Sequence, residues 1–195
     1  MVSVPQEHLS PAATDEGETG DGDAYARLLA LLDAHGARYR VLDHEPEGRT
    51  EVVSGHRGHP VAHAAKCLVV MVKTGKRTKR YFLAVVPGDA RVDLNGLKVL
   101  ADGTYASFAT PERAEELSGS ASGTILPFSF HPSLELIVDP GLLEHPEIFF
   151  NAARLDRSLA LNTQDYAEHL RRTGARIQPI AVQQPDGAGR PAQPS

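Results

Sequence analysis

One lysine and three histidines lie close together in the chain and could carry chemistry. His56, His59 and His63 fall within eight residues, and Lys66 follows three residues later. Closely spaced histidines suggest a metal site, because zinc takes three or four such ligands that converge on one point. A lysine at the mouth of a strand suggests a bound anion or a polarised carbonyl, because its ammonium donates hydrogen bonds to a phosphate or an oxyanion. The two interpretations imply different classes of protein.

The three histidines do not complete a metal site in the sequence. Gly58 and Pro60 interrupt any helix that would put His56 and His59 on one face. The chain has no H-E-x-x-H motif, and its single cysteine, Cys67, lies within an apolar run. Histidines in a polar loop are more often solvated or capping residues. We therefore expect no metal here, and a histidine-dependent metal hydrolase is the weakest alternative.

Lys66 stands between a pair of alanines and the apolar run CLVVMV. A lysine at a strand edge commonly lays its stem along apolar surface, with no role in binding. At the end of a central strand its ammonium would instead point into a cleft. The loop GTILP, residues 123–127, is a candidate partner, because Gly123 lets the backbone approach a ligand. Asn151 could bind a substrate amide or hydroxyl, although such an asparagine more often fixes a turn.

Other sites are weakly indicated or missing. No G-x-S-x-G elbow, Walker loop or G-x-G-x-x-G motif occurs. Residues 73–80 hold five basic side chains, which are equally typical of a solvated hairpin tip and of a patch that contacts phosphates. These side chains are Lys73, Lys76, Arg77, Lys79 and Arg80.

The elements that must position these residues are helices and strands in no strict alternation. Apolar periodicity and capping residues predict helices over 25–36, 93–102, 111–119 and 163–174, begun in the last three cases by Asp93, Thr110 and Thr163. Strands are predicted over 37–44, 66–72, 80–87, 104–109, 134–139, 147–153, 158–162 and 175–182. Adjacent hairpin strands favour a mixed sheet with helices packed on it over a doubly wound parallel sheet.

Composition divides the chain into one domain and two tails. Residues 1–23 hold six acidic and no basic residues, so of the 25 acidic residues 19 remain, against 20 basic ones. The net charge of −5 therefore belongs to an N-terminal tail, which we expect to be disordered. We expect a folded domain over 24–182 and a second disordered tail over 183–195. No apolar window is long enough to span a membrane, no secretory signal is evident, and one cysteine fits a reducing cytosol.

In their order, five segments resemble the YbaK/prolyl-tRNA-synthetase-associated domain family of trans-acting aminoacyl-tRNA deacylases. They are RTEVVSGHRGHPVAHAAKCLVV, YFLAVVPGDARVDLNGLK, GSASGTILPFSF, LELIVD and FFNAARLDRSLALNTQDYAEHL, and the resemblance covers roughly residues 24–172. It implies a mixed α/β fold, with a strongly curved sheet packed by helices. It also implies hydrolysis of the ester in a mischarged aminoacyl-tRNA, without a metal or another cofactor.

The resemblance also implies roles for particular residues. Lys66 would engage the substrate near the tRNA 3′ end, and the loop bounded by Gly123 and Pro127 would position the scissile carbonyl. The terminal ribose hydroxyl would help to activate water, so that no strong protein base is needed. The implied substrate-binding residues are His44, His59, Thr124, Ile125, Asn151 and Ala153. The basic residues Lys73, Lys76, Arg77, Lys79 and Arg80 would contact tRNA phosphates.

One departure from the family pattern bears on specificity. Many relatives carry Asn-Ala-Gly where this chain has Asn151, Ala152 and Ala153, and the extra methyl group could narrow the amino-acid pocket or alter the turn. The segment around Lys66 is most similar to the branch that acts on Ser- or Thr-type residues. We therefore expect a cytoplasmic deacylase for a small amino acid (Ser-, Thr- or Ala-like), whose partners are aminoacyl-tRNA and a synthetase, not membranes or DNA. The alternative is a non-catalytic module that binds tRNA or a synthetase.

Overall fold

The computed structural model describes residues 21–49, 54 and 58–183. Besides two short 3-10 helices, Val61–His63 and Pro140–Glu144, this part contains four α-helices with both ends described. They are α1 (Asp21–Ala34), α2 (Leu94–Leu100), α3 (Pro111–Ser118) and α4 (Thr163–Thr173). Each corresponds to a helix predicted from the sequence. Residues 50–53 and 55–57, His56 among them, lie outside the described residues.

The strands are short and follow the predicted order, with one addition. They are β1 (Tyr39–Asp43), β2 (Ala65–Lys73), β3 (Lys79–Pro87), β4 (Ala90–Val92), β5 (Tyr105–Phe108), β6 (Leu134–Val138), β7 (Glu147–Asn151), β8 (Arg157–Asn162), β9 (Arg176–Ile177) and β10 (Ala181–Gln183). The sequence pattern did not predict β4, because three residues are too few to show alternation.

The strands form three sheets. The largest has the order β5-β2-β3-β6-β9, a three-stranded sheet has the order β1-β8-β7, and β10 pairs with β4. As predicted, β2 and β3 form an antiparallel hairpin, in register from Ala65 opposite Pro87 to Lys73 opposite Lys79. Because β3 and β6 are parallel, the large sheet is mixed. The predicted mixed α/β fold class is therefore confirmed.

Two apolar cores lie on opposite faces of the large sheet. Alternate side chains of a strand point to opposite faces, so Val69 of β2 packs in one core while Val70 and Val72 pack in the other. The first core includes residues of α1, α4, β7 and β8, and the second includes Leu97 of α2. Since β2 and β3 are covered on both faces, they form a rigid base for whatever lies at their ends.

Two predicted helix caps are confirmed and one is wrong. The Asp93 side chain accepts a hydrogen bond from the Gly96 amide, and Thr110 accepts one from the Arg113 amide. At α4 the cap is Asn162, whose side chain accepts from the amides of residues 164 and 165. Thr163 is the first helical residue and is buried, so it cannot act as the predicted cap.

The strand predicted over 175–182 is divided into two. β9 pairs with β6 at the edge of the large sheet, whereas β10 pairs with β4. Between them, the buried carboxylate of Asp139 accepts hydrogen bonds from the amides of Ile180 at 2.9 Å and Ala181 at 2.8 Å. In a continuous strand these two amides would donate to a neighbouring strand. Because the Asp139 carboxylate accepts their hydrogen bonds instead, the chain can leave one sheet and enter another at this point.

The two predicted tails fall almost wholly outside the described residues, so the boundaries at 23 and 183 stay predictions. Within the described part of the chain, no helix is both long and apolar enough to cross a membrane.

Candidate functional site

A cavity of about 240 Å³ opens at the start of β2. Its walls come from β2 of the large sheet, from β7 of the three-stranded sheet, and from two loops. The lining residues are Gly48, Arg49, Ala64, Ala65, Lys66, Cys67, Leu68, Gly123, Ile125, Phe149, Phe150 and Asn151. The cavity therefore lies where two sheets and two loops meet.

Lys66 lies in this wall, at the cavity end of β2. It is half-buried, and its ammonium donates a hydrogen bond to the Ala90 carbonyl of β4 at 3.1 Å. Strand alternation puts its side chain on the sheet face opposite that of Cys67. The ammonium is therefore held beside β4, while the start of β2, to which Lys66 belongs, forms part of the cavity wall.

Two glycines bring the two loops of the cavity into backbone contact. Gly123 has a φ of +89°, which favours glycine, and a Cβ atom built on it would lie 3.2 Å from the Gly48 Cα. The Asn151 side-chain amide then joins the loops, because it donates to the Gly123 carbonyl at 2.9 Å and to the Glu47 carbonyl at 3.1 Å. Lys66, Gly123 and Asn151, predicted from distant parts of the sequence, thus line one cavity.

Ile125 also lines the cavity, but other residues of the loop support it from behind. Pro127 is buried, and its carbonyl accepts a hydrogen bond from the Tyr166 hydroxyl at 2.7 Å. Thr124 is buried as well, and its hydroxyl donates to the Ala121 carbonyl at 2.8 Å. These two residues fix the loop without contributing to the cavity wall.

Ala153 and His44 are also absent from the described cavity wall. Ala153 is fully buried in the turn after β7, with a φ of +57°. His44 is half-buried and lies behind Asn151, because its Nε2 is 2.6 Å from the hydroxyl of Ser158, which in turn contacts Asn151. Of these two residues, His44 is linked to the cavity residue Asn151 through Ser158.

The described histidines of the 56–63 segment face different partners. The His59 ring stacks on Phe149 with 3.7 Å between centroids, and the His63 ring stacks on His145 at 4.0 Å. Burial, with a smaller effect of His145, lowers the pKa of His63. Within residues 21–49, 54 and 58–183, no group of three or more His, Cys, Asp or Glu side chains is placed to hold a metal ion. Through this stacking His59 contacts Phe149, a residue of the cavity wall.

The sequence interpretation missed the rim formed by Glu47, Gly48 and Arg49. The Glu47 carboxylate accepts hydrogen bonds from the amides of Gly48 and Arg49 and from the Arg49 guanidinium at 3.0 Å. The Arg49 side chain is the main cause that lowers the pKa of Glu47 to about 2. The glycine in Glu-Gly-Arg was a signal of close approach, but nothing local identifies its partner at position 123.

An apolar wall faces this polar rim and was likewise missed. Cys67, Phe149 and Phe150 line the cavity, together with Ile125. Burial raises the pKa of the Cys67 thiol far above its usual range, so the thiol is protonated and a poor nucleophile. Cys67 is the only hydroxyl or thiol side chain among the described lining residues. This wall suits a small side chain of a substrate better than covalent catalysis.

The predicted basic patch lies at the other end of β2. Lys73, Lys76, Arg77 and Lys79 are exposed on the hairpin. Arg80 differs from them, because its guanidinium donates to both carboxylate oxygens of Glu135, at 2.7 and 2.6 Å. At about 3.3 Å per residue, the hairpin is roughly 25 Å from Lys66 along the strand. The patch and the cavity therefore form two separate regions.

Taken together, the cavity brings together the residue Lys66, whose ammonium is bound to the Ala90 carbonyl, a tightly held backbone loop and an asparagine side chain. Such an arrangement can orient a carbonyl group and stabilise negative charge on its oxygen, which is most of what ester hydrolysis requires from a protein.

Comparison with known proteins identifies a family for most of the folded part. Residues 44–169 match the model of the aminoacyl-tRNA editing domain. The chain is 45% identical over 143 residues to the Multifunctional Ser/Thr-tRNA deacylase ProXp-y of Escherichia coli K12, covering 73% of this chain and 85% of that protein. The protein of the same name from Escherichia coli O157:H7 matches to the same extent.

Solved structures share the fold at lower sequence identity. The crystal structure of a hypothetical protein superposes with a TM-score of 0.70 at 24% identity, covering 80% of this chain and 99% of that one. A candidate trans-editing enzyme for prolyl tRNA synthetase superposes with a TM-score of 0.66 at 24% identity, covering 82% of this chain and 97% of that one. These two likenesses concern the architecture alone.

Proposed function

This chain belongs to the aminoacyl-tRNA editing domain family, and we propose that it is a freestanding deacylase that hydrolyses the ester of a mischarged tRNA. The observation that carries the proposal is the meeting of Lys66, Gly123 and Asn151 at one small cavity. The amino acid removed is small, of the Ser, Thr or Ala type. A volume of about 240 Å³ and the apolar wall support this size, as does the Ser/Thr specificity in the name of the Escherichia coli relative.

The proposed reaction uses orientation and electrostatics. Water adds to the ester carbonyl, the bond to the terminal ribose oxygen breaks, and the products are the free amino acid and a tRNA with both terminal hydroxyls restored. The Lys66 ammonium binds the substrate near the tRNA 3′ end, and the loop that begins at Gly123 positions the carbonyl. A ribose hydroxyl of the substrate helps to activate the water. The protonated Cys67 thiol takes no part in bond formation.

Outside the cavity, the exposed cations of the hairpin are proposed to contact tRNA phosphates. Lys73, Lys76, Arg77 and Lys79 are exposed and suit this role. Arg80 is engaged with Glu135, so we give it the smaller part. The proposed location is the cytosol, where charged tRNA is found. A synthetase is a second proposed partner, as the resemblance of the sequence to a synthetase-associated family implies.

A panel of labelled aminoacyl-tRNAs tests the proposal directly. We expect the wild-type protein to release the amino acid from Ser-, Thr- or Ala-type members, and Lys66→Ala to slow release about a hundredfold. Lys98→Ala, which removes another lysine from α2, is the control and should have no effect. Equal rates for wild type and Lys66→Ala would contradict the role of Lys66.

The same panel separates the two alternatives. Binding of an aminoacyl-tRNA without release of any amino acid would favour the non-catalytic module. The metal hydrolase would be favoured by three results together: EDTA abolishes the release, Lys66→Ala does not affect it, and His59→Ala removes it.

A further inference from the structure

A chain of hydrogen bonds runs from a surface loop to the cavity through three side chains. His44 Nδ1 lies 2.8 Å from the Glu45 carbonyl, and His44 Nε2 lies 2.6 Å from the Ser158 hydroxyl. The Ser158 oxygen lies 3.1 Å from Asn151 Oδ1. Asn151 Nδ2 then reaches the carbonyls of Gly123 and Glu47. We call these three side chains, His44, Ser158 and Asn151, the relay.

The direction of the bonds at the cavity end is fixed by chemistry. Both contacts of Asn151 Nδ2 are backbone carbonyls, which only accept, so the two amide hydrogens point at Gly123 and Glu47. Oδ1 is then an acceptor, and the Ser158 hydroxyl donates to it. A serine hydroxyl has one hydrogen, and this bond uses it. The Ser158 oxygen must therefore accept a hydrogen bond from its other neighbour, His44.

The direction at the far end is fixed in the same way. The Glu45 carbonyl accepts from His44 Nδ1, so that nitrogen carries a hydrogen. If Ser158 also accepts from Nε2, both ring nitrogens carry hydrogens, and only an imidazolium has two. A neutral ring has only one hydrogen. On Nδ1 it would leave Ser158 and Asn151 Oδ1 facing each other without a hydrogen, and on Nε2 it would leave Nδ1 facing the Glu45 carbonyl without one. Because Ser158 is fully buried, water does not readily replace the lost donor.

We propose that His44 and Ser158 are positioning residues, and that His44, as an imidazolium, fixes the Asn151 amide across the two loops of the cavity. The catalytic part of this inference rests on the proposed deacylase function. The role differs from direct substrate binding, since His44 acts through Ser158 and Asn151. Ser158 acquires a role that its place in an apolar strand did not indicate.

The surroundings of His44 are consistent with a positive charge. Its sequence neighbours are Asp43 and Glu45, and its amide donates to the Asp156 carbonyl at 3.0 Å. Each arginine side chain near this segment already pairs with a carboxylate. The nitrogen–oxygen distances are 2.8 Å for Arg157 and Asp43, 2.9 Å for Arg154 and Asp156, and 3.0 Å for Arg49 and Glu47.

Nitrogen-15 spectra of the histidine rings test the protonation of His44 without any substrate. In the full chain at neutral pH we expect both His44 nitrogens to show the shifts of protonated sites, with the signals assigned from their absence in His44→Gln. In Ser158→Ala, one of the two nitrogens should lose its proton at the same pH. A wild-type spectrum with one unprotonated His44 nitrogen would overturn the inference, whatever the outcome of the tRNA panel.

Kinetics with the best substrate of the panel test the positioning. Ser158→Ala and His44→Leu should each lower kcat about tenfold or more, with KM little changed, because a misplaced loop slows the chemical step. His44→Gln should stay within a few-fold of wild type, since its amide still donates to Ser158. Leucine and glutamine are of similar size, so equal losses in both variants would indicate packing alone and overturn the relay.

A double-mutant cycle tests whether the relay acts through Asn151. In an Asn151→Ala background, Ser158→Ala should cause almost no further loss, because the group it orients is gone. Losses that multiply would mean that Ser158 acts independently, which contradicts the inference. Melting temperatures of all variants identify any that fail to fold.

Discussion

At the scale of single residues, the contact between Gly123 and Gly48 decides whether the carbonyl loop can take its shape. Gly123 has a positive φ and little room for a side chain, since a Cβ would meet the Gly48 Cα at 3.2 Å and its oxygen at 3.4 Å. Gly123→Ala must therefore strain the backbone and separate the two loops that Asn151 joins. We expect kcat/KM for the aminoacyl-tRNA to fall about a hundredfold.

Gly119 supplies a matched control for this prediction. It has a φ of +68°, and a Cβ built on it meets nothing within 4 Å. Both alanine variants place a Cβ on a left-handed backbone, which should cost about 1–2 kcal/mol of stability in each. Gly119→Ala should nevertheless leave activity near wild type. Equal losses of activity in the two variants would mean that general destabilisation, and not the loop contact, is responsible.

At the scale of elements, the turn between β7 and β8 combines two buried alanines with different backbones. Ala152 and Ala153 are both fully buried, but only Ala153 has a positive φ, of +57°. Glycine at 153 would lose a buried methyl group and gain relief of backbone strain, so the two effects nearly cancel. Glycine at 152 would bring no such relief.

We therefore predict unequal effects of two similar substitutions. Ala152→Gly should lower the free energy of unfolding by about 1–2 kcal/mol, and Ala153→Gly by less than about 1 kcal/mol, as measured by urea titration. Since Ala153 does not line the described cavity wall, Ala153→Gly should not change the order of preference among aminoacyl-tRNAs. A changed order would show that its methyl group shapes the amino-acid pocket after all.

Elements with strong local signals could be predicted from the sequence, whereas features created by distant contacts could not. The β2–β3 hairpin, α1 and the caps at Asp93 and Thr110 follow from periodicity and capping chemistry within one segment. The division of β9 from β10 depends on Asp139, which is about 40 residues away along the chain. Likewise, the sequence predicted Lys66, Gly123 and Asn151 one by one, but not Gly48 or Ser158, whose roles exist only through their partners in space.

At the scale of the whole molecule, the cavity and the basic hairpin lie at opposite ends of one strand, roughly 25 Å apart. A small ester can reach only the cavity, whereas a tRNA is large enough to reach both regions. Lys76 and Arg77 are exposed at the hairpin, where they can approach phosphates. The double variant Lys76→Ala/Arg77→Ala should therefore weaken binding of the macromolecule and leave the chemical step intact.

The size and the salt dependence of the effect distinguish this role from a general loss of charge. We expect the double variant to raise KM for aminoacyl-tRNA about tenfold at low salt and to reduce the slope of log affinity against log salt by about 2, one for each lost phosphate contact. Hydrolysis of an aminoacyl ester of adenosine alone should be unchanged. Arg171→Ala/Arg172→Ala is the control, because it removes the same charge from α4, where both side chains pair with Glu168. If both pairs of substitutions raise KM equally, net charge explains the effect, and the hairpin is only a solvated turn.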